Sequence, residues 1–404
     1  MSEAQEGRGP DSASVSAGKG ARLVLLACCA THLVQDGLVA ALYPVLPIIA
    51  LDLHLDYAAA GSLRTVIMGS TSLLQLPAGY LAEWVPETIL LGAGMFWISA
   101  GFLAMAAAAG FASLLLLTLL AGAGGSLQHP LATSVVSKAY ESEGRGGAIS
   151  SLNFSGDLGK MIFPALAGMV AVVHGWRGAL LAMGALGIAA SLLYFLAVRR
   201  LQPAKRIRES GGAGAKGWGI QRPLAFALLS VIAVIDNSTR VGVLTFLPFL
   251  MADKGLDATK VSFLLTLIFA CGAAGKLGCG FLADRFGNVG VIVITEAVTA
   301  IAALLVLPVD PLMLVPVLIA FGFVLNGTSS VLYSSVAEMV HVGRRARTYG
   351  LFYTFSTGAG ALAPLPYGFL ADGIGIPNTF VVIAVATLAT LPLALAMRGR
   401  RVVE

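Results

Sequence analysis

Three pairs of charged or titratable residues stand inside long apolar runs of this 404-residue chain. His32 and Asp36 are four residues apart, Asp236 and Arg240 likewise, and Asp157 and Lys160 are three apart, so on a helix each pair shares a face. Arg64, Lys276 and Glu296 also lie in apolar surroundings. An ionised side chain at the centre of a membrane helix costs about 2.5–3.5 kcal/mol on insertion scales, so such residues face protein or water and mark ion or substrate paths. A carboxylate beside a cation can act as a switch, because protonating the acid frees the base to hold an anion. On that chemistry Asp36, Asp157, Asp236 and His32 are the candidates for carrying a proton. Lys160, Arg240, His129, Arg64 and Asn326 are the candidates for holding a substrate with an acidic group. Asp36 is expected to be the carrier itself, because its own helix offers it no base except His32. Lys276 and Glu296 lie at similar distances on either side of a polar break, so they are expected to pair across that hairpin as a structural ion pair.

Other chemistries find little support. The four cysteines, Cys28, Cys29, Cys271 and Cys279, sit in apolar runs without metal spacing and read as small buried hydrophobes. The run Gly122-Ala-Gly-Gly follows nothing strand-like, so close helix packing explains it better than a dinucleotide site. No cofactor and no metal is expected. A membrane-embedded enzyme built on His32, Asp36 and His129 would lack a nucleophile, a metal constellation and a cytosolic catalytic domain.

The elements that must position these residues follow from composition. The hydrophobic class makes up 57% of the chain and the charged class 12%, against about 25% charged in soluble domains. A soluble globule could not cover its surface with so few charges, which excludes a cytosolic enzyme, a disordered protein and a nucleic-acid binder. A spanning helix needs about 20 apolar residues, and twelve such runs are expected: 22–51, 57–82, 88–109, 112–138, 145–173, 177–198, 222–251, 258–283, 288–307, 311–339, 345–371 and 377–397. The first is too long for the core of a cleavable signal peptide. The expected fold is therefore an all-α membrane protein of two six-helix bundles, 21–198 and 222–398. A cytoplasmic linker, 199–221, would join them, with cytoplasmic tails at 1–20 (disordered) and 399–404.

Of the 26 Lys and Arg residues, 19 fall in breaks on one side and three (Arg177, Lys254, Lys260) on the other. Basic loops stay in the cytoplasm, so both termini are expected inside, in a cell (inner) membrane. The two halves repeat at an offset of 200 or 201: Asp36 with Asp236, Gly122 with Gly322, Arg145 with Arg345, Pro164 with Pro364, Gly168 with Gly368, and Leu55-Asp56 with Leu256-Asp257. Such matches at equivalent points mean a duplicated six-helix unit. Rise per residue then gives depth. Asp36 and Asp236 each lie roughly 21 Å from the inner face, Asp157 and Lys160 roughly 18–22 Å, and His129 roughly 15 Å. These groups are expected in one layer near the midplane, where transporters of repeated architecture bind substrate. The third, sixth and twelfth runs carry no charge inside them, Arg177 standing only at the end of the sixth, and suit an outer layer.

The segment Gly280-Phe-Leu-Ala-Asp284-Arg285-Phe-Gly287 resembles the loop motif between helices 8 and 9 of the major facilitator superfamily. Its first-half copy keeps Gly79 and an acid at Glu83 but has Trp84 where a base is usual. The resemblance implies a gating role for Gly79, Glu83, Gly280, Asp284 and Arg285. A narrower likeness covers the first half. His32-Leu-Val-Gln-Asp36, Tyr43-Pro44, Leu74-Gln75, Gly79-Tyr80, Gly122 to His129-Pro130, and Gly156 to Pro164 together look like the fosmidomycin-resistance group of efflux proteins. That resemblance implies a proton-coupled secondary active transporter working by alternating access, here an efflux antiporter for a small anionic or zwitterionic drug or metabolite. The alternative is a proton-coupled importer of an organic anion. The implied partners are a small-molecule substrate, protons and the lipid bilayer, with the chain acting as a monomer.

Overall fold

The structure, a computed structural model, describes residues 12–140, 145–198, 218–311, 313–341 and 345–398. The expected tails and linker lie largely outside the described residues. The described chain is helical: α1 (Ser12–Asp52), α2 (Tyr57–Leu73), α3 (Gln75–Leu81), α4 (Glu87–Ala106), α5 (Phe111–Gly125), α6 (Gln128–Ala139), α7 (Arg145–Val198), α8 (Pro223–Asp253), α9 (Ala258–Phe286), α10 (Asn288–Leu305), α11 (Leu314–Ala337), α12 (Arg345–Leu362), α13 (Pro364–Ile374), α14 (Ile376–Leu388) and α15 (Thr390–Arg398).

These helices form twelve crossings. Each of α1, α4, α8, α9, α10 and α11 is one crossing, while α2–α3, α5–α6, α12–α13 and α14–α15 are interrupted ones. The helix α7 contains two, separated at Gly175 (φ 67°). Gly375 (φ 82°) makes the equivalent break before α14, so the 200-residue repeat places a left-handed glycine at the same turn in both halves. The repeated Leu-Asp pair is also explained. Asp56 caps α2 by accepting from the Ala59 amide at 2.7 Å, and Asp257 caps α9 by accepting from the Lys260 amide at 2.9 Å. That amide, with the Lys260 ammonium, holds the Asp257 carboxyl below the usual carboxylate range.

Among the described residues nine stretches are long and apolar enough to cross a membrane, one of them the double-length Gly147–Val198. The second and eleventh crossings, α2–α3 and α12–α13, are not among them. They are broken and carry Arg64, Thr71, Ser72, Gln75, Ser356 and Thr357, which suits the wall of a polar cavity better than a lipid-facing surface.

The two halves meet closely at the end that carries residues 52–57 and 253–258. There Asp372 of α13 accepts hydrogen bonds from the Tyr57 and Ala58 amides at 2.7 and 2.9 Å. A Cβ at Gly168 would collide with Ser262 across the interface, and one at Gly368 would lie 2.6 Å from Ala58 Cα. The repeated glycine thus lets each half approach the other by the same device. At the opposite end, among the described residues, polar contacts such as Lys138 with Glu87 and Asn288 with Glu338 stay within one half.

Candidate functional site

A cavity of about 320 Å³ lies between the halves. Its walls run from Tyr43 and Leu244 to Gln75 and Thr357, away from the closed end. Asp36, Arg64, His129, Lys160, Arg240 and Asn326 all line it, among them Asp36, Lys160 and His129, which the depth argument assigned to one layer. His32, Asp157 and Asp236 stand one contact behind, each touching a lining residue. Among the lining residues that sequence reasoning missed are Gln35, Tyr43 and Tyr333. Gln35 and Tyr43 stand in segments that carry the family likeness, but nothing in the spacing points Tyr43 to Arg64.

Asp36, 7% exposed, is crowded with bases. The Lys160 ammonium lies 2.9 Å from Oδ2, and the Nε2 atoms of His32 and His129 lie 3.5 Å from Oδ2 and Oδ1. The two imidazoles meet edge to face, with centroids 5.0 Å apart. Asp36 is therefore the more neutralised of the two repeated acids, which corrects the argument for it as carrier from the lack of bases in its own helix. Its own helix supplies only His32, but α6 and α7 bring His129 and Lys160. His32, Asp36 and His129 present ligand atoms within 4.8 Å of one another. The Lys160 ammonium occupies the same carboxylate and opposes a bound cation there.

Lys160 also lies 3.5 Å from Asp157 Oδ1. The stronger partner of Asp157 is Lys276, whose Nζ donates to both carboxylate oxygens at 2.6 and 2.7 Å. This corrects the expected Lys276–Glu296 pair. Equal depth on a hairpin does not fix the face. Lys276 turns from α9 toward α7 of the other half, and Glu296 turns from α10 toward Asp236. Among the described residues Asp236 has only Arg240 as a cation, 4.0 Å away, and that guanidinium hydrogen-bonds Asn237 Oδ1.

Arg64 is buried at 1% exposure. Its Nη1 donates to the Val39 carbonyl at 2.7 Å, and its guanidinium stacks 3.9 Å over the Tyr43 ring. No carboxylate lies within ion-pair distance among the described residues, and its Nε has no partner. Gln35 Oε1 and Asn326 Nδ2, also in the lining, are equally unpartnered. Buried polar atoms are normally satisfied, so the wall offers two donors and one acceptor to an occupant.

The gating-loop candidates lie away from this site. Gly79 and Glu83 are at the α3 end, and Gly280, Asp284 and Arg285 at the α9 end. Arg285 lies 5.8 Å over the Phe286 ring, and a Cβ at Gly280 would meet open space.

Two bundles closed at one end around a charged midplane cavity define a membrane transporter rather than an enzyme. The chain belongs to the Major Facilitator Superfamily, whose family model matches residues 28–236 and again 226–404. It is 25% identical over 372 residues to an uncharacterised MFS-type transporter, YfnC, of Bacillus subtilis, covering 90% of this chain and 89% of that one. It is 26% identical over 353 residues to the D-galactonate transporter of Escherichia coli O6:H1, covering 78% and 81% respectively. Among solved structures it is similar to a bacterial homologue of the human lysosomal transporter Spinster, in an inward-facing and unoccupied conformation. There the TM-score is 0.77 at 18% identity, with 94% of this chain and 95% of that one covered.

Proposed function

We propose that the protein is a proton-coupled transporter of a small organic anion. One observation carries this reading: the Lys160 ammonium lines the cavity while it holds Asp36 at 2.9 Å. A substrate carboxylate that draws on Lys160 leaves Asp36 to a proton. Anion and proton then bind cooperatively rather than in competition, and they travel together. Arg64, a buried guanidinium without a carboxylate, is the second anchor and suits two-pronged capture. Arg240, His129 and Asn326 complete the wall. The likeness to a D-galactonate transporter supports an organic anion. With the basic loops in the cytoplasm of an inner-membrane protein, the cavity opens inward, both termini are cytoplasmic, and the rocking of residues 21–198 against 222–398 gives alternating access. The protein works as a monomer, with lipid as its solvent.

Cooperative binding favours the import reading over export. Export by exchange is the second reading. It rests on the likeness of His32, Asp36 and His129-Pro130 to the fosmidomycin-resistance group, and it requires a substrate whose own cation competes with the proton for Asp36. Purified protein in liposomes, given a panel of radiolabelled sugar acids, monocarboxylates and zwitterions, tests both. Under an acid-outside gradient the expected result is accumulation of an organic anion, with external alkalinisation on its addition. Proton release on substrate entry would establish exchange instead. Anion movement indifferent to the pH gradient would overturn proton coupling.

A further inference from the structure

Glu296 is buried on α10 at 1% exposure, and neither of its carboxyl oxygens meets a hydrogen-bond donor. Its electrostatic neighbours are Asp236, itself 5% exposed, and Arg240 beyond it, both on α8. Arg240 stays 4.0 Å from Asp236 and gives its hydrogen bond to Asn237. From α11 the Tyr333 side chain lies within electrostatic range of Asp236. Lys276 of α9 is taken by Asp157. The helices α14 and α15 pack on α10 and bring no charge except Arg398 at the last residue. Among the described residues Glu296 therefore has no cation of its own.

Two adjacent ionised carboxylates repel and offer only acceptors to one another, whereas a protonated carboxyl donates one O–H. A single proton converts the contact into a hydrogen bond and removes one of the two charges. We propose that Asp236 and Glu296 share one proton, and that Glu296 is a second proton-binding residue of the transport cycle. The proposal rests on the proton-coupled reading given above. Arg240 gates the pair, since it lines the cavity. When it leaves Asn237 and closes on Asp236, the shared proton passes to cavity water and a carboxylate–guanidinium pair remains. An anion in the cavity that holds Arg240 keeps the proton in place, so this site and Asp36 respond to substrate with the same sign.

Infrared spectroscopy of the purified protein, with glutamate labelled with carbon-13 at its side-chain carboxyl, tests the pair without any ligand. At neutral pH the expected result is a protonated-glutamate carbonyl band in the wild type. It is absent in Glu296→Gln, a substitution close in shape to the protonated acid, and shifted in Asp236→Asn. Titration of Glu296→Gln should take up one proton fewer than the wild type. A wild-type spectrum with no protonated-glutamate band, or a band unmoved by Asp236→Asn, overturns the proposal. A chain with the band that moves no anion under a pH gradient refutes proton-coupled transport and leaves the shared proton standing. Transport without the band refutes the pair alone.

Discussion

Asp36 and Asp236 stand 200 residues apart in sequence, at matching points of the two bundles. Asp36 meets Lys160, His32 and His129 within 3.5 Å. Asp236 meets one cation at 4.0 Å and faces a second acid, Glu296. Duplication has kept the position and changed the company. An acid among bases can trade partners with an anionic substrate, because each base it loses is taken by the substrate. An acid beside an acid stores a proton and gives it up when a cation approaches. The two halves thus carry one chemical group in two roles, and perturbing their neighbours separates those roles.

The largest expected effect comes from Lys160→Gln. It strands Asp36 beside two imidazoles, whereas Asp157 keeps Lys276. Breaking a buried ion pair costs about 3–5 kcal/mol. The Lys160 side chain is 34% exposed, so screening brings the expected loss to roughly 2 kcal/mol of stability. The Lys160→Gln/Asp36→Asn double variant should recover most of it in thermal melts in detergent. Anion affinity should fall at least about tenfold in Lys160→Gln, or ~1.4 kcal/mol, and by less in Arg240→Gln, whose guanidinium is already engaged by Asn237. Equal losses in both would erase the contrast between the halves.

Next is Asp36→Asn, which imitates the protonated acid. In the wild type an anion on Lys160 leaves Asp36 to a proton, so anion affinity should rise as pH falls. In Asp36→Asn that part of the pH response should vanish. Exchange of labelled for unlabelled anion should continue, because it moves no net proton, while accumulation driven by a pH gradient should fail. Accumulation at the wild-type rate would place the carrier elsewhere, with Asp157 the next residue to replace.

The legibility of these features in the sequence follows their physics. Span number follows from apolar runs and the polar breaks between them, so all twelve crossings were readable, even the broken α2–α3 and α12–α13 that are not long and apolar enough by themselves. Depth depends on rise per residue, so Asp36, Lys160, His129 and Arg240 could be assigned to one layer. The face a side chain presents depends on helix rotation against neighbours that are remote in sequence. For that reason Lys276 was paired with Glu296 on its own hairpin, and its partner Asp157, 119 residues away, stayed hidden. The setting of Arg64 was invisible for the same reason, since the Tyr43 ring and Val39 carbonyl belong to the preceding helix.

The Lys276–Asp157 pair crosses between the halves, unlike the pairings of Asp36 or Asp236. Its charges lie beside the cavity, so its contribution should be intermediate. A double-mutant cycle with Asp157→Asn and Lys276→Gln should give a coupling of about 1–2 kcal/mol. Exchanging the two charges should restore part of the transport lost in either single variant. Zero coupling would reduce this contact to proximity and leave the halves joined near the midplane by uncharged contacts such as Thr266 with the Met161 carbonyl.

That closed end offers the last and smallest test of how far the halves differ. The start of α2 is held by Asp372 of the other half, through two amides at 2.7 and 2.9 Å. The repeat counterpart of Asp372 is Val172, which carries no acceptor, so the start of α9 has its own cap, Asp257, but no matching acid from across the interface. The latch is one-sided. A carboxylate at a helix start satisfies orphan amides and favours the positive end of the helix dipole. The site is partly solvent-exposed, so its worth is about 1 kcal/mol, below the usual range for charged hydrogen bonds. Asp372→Ala should therefore shift the population toward opening at this end by about fivefold, the equivalent of ~1 kcal/mol. Accessibility of a cysteine placed at Ala58 to a membrane-impermeant maleimide reads that shift, while the stability of each bundle stays unchanged. Val172→Asp, which supplies the missing acid facing α9, should push the same equilibrium back. Unchanged labelling in Asp372→Ala would mean that the glycine contacts at 168 and 368 close this end without the carboxylate.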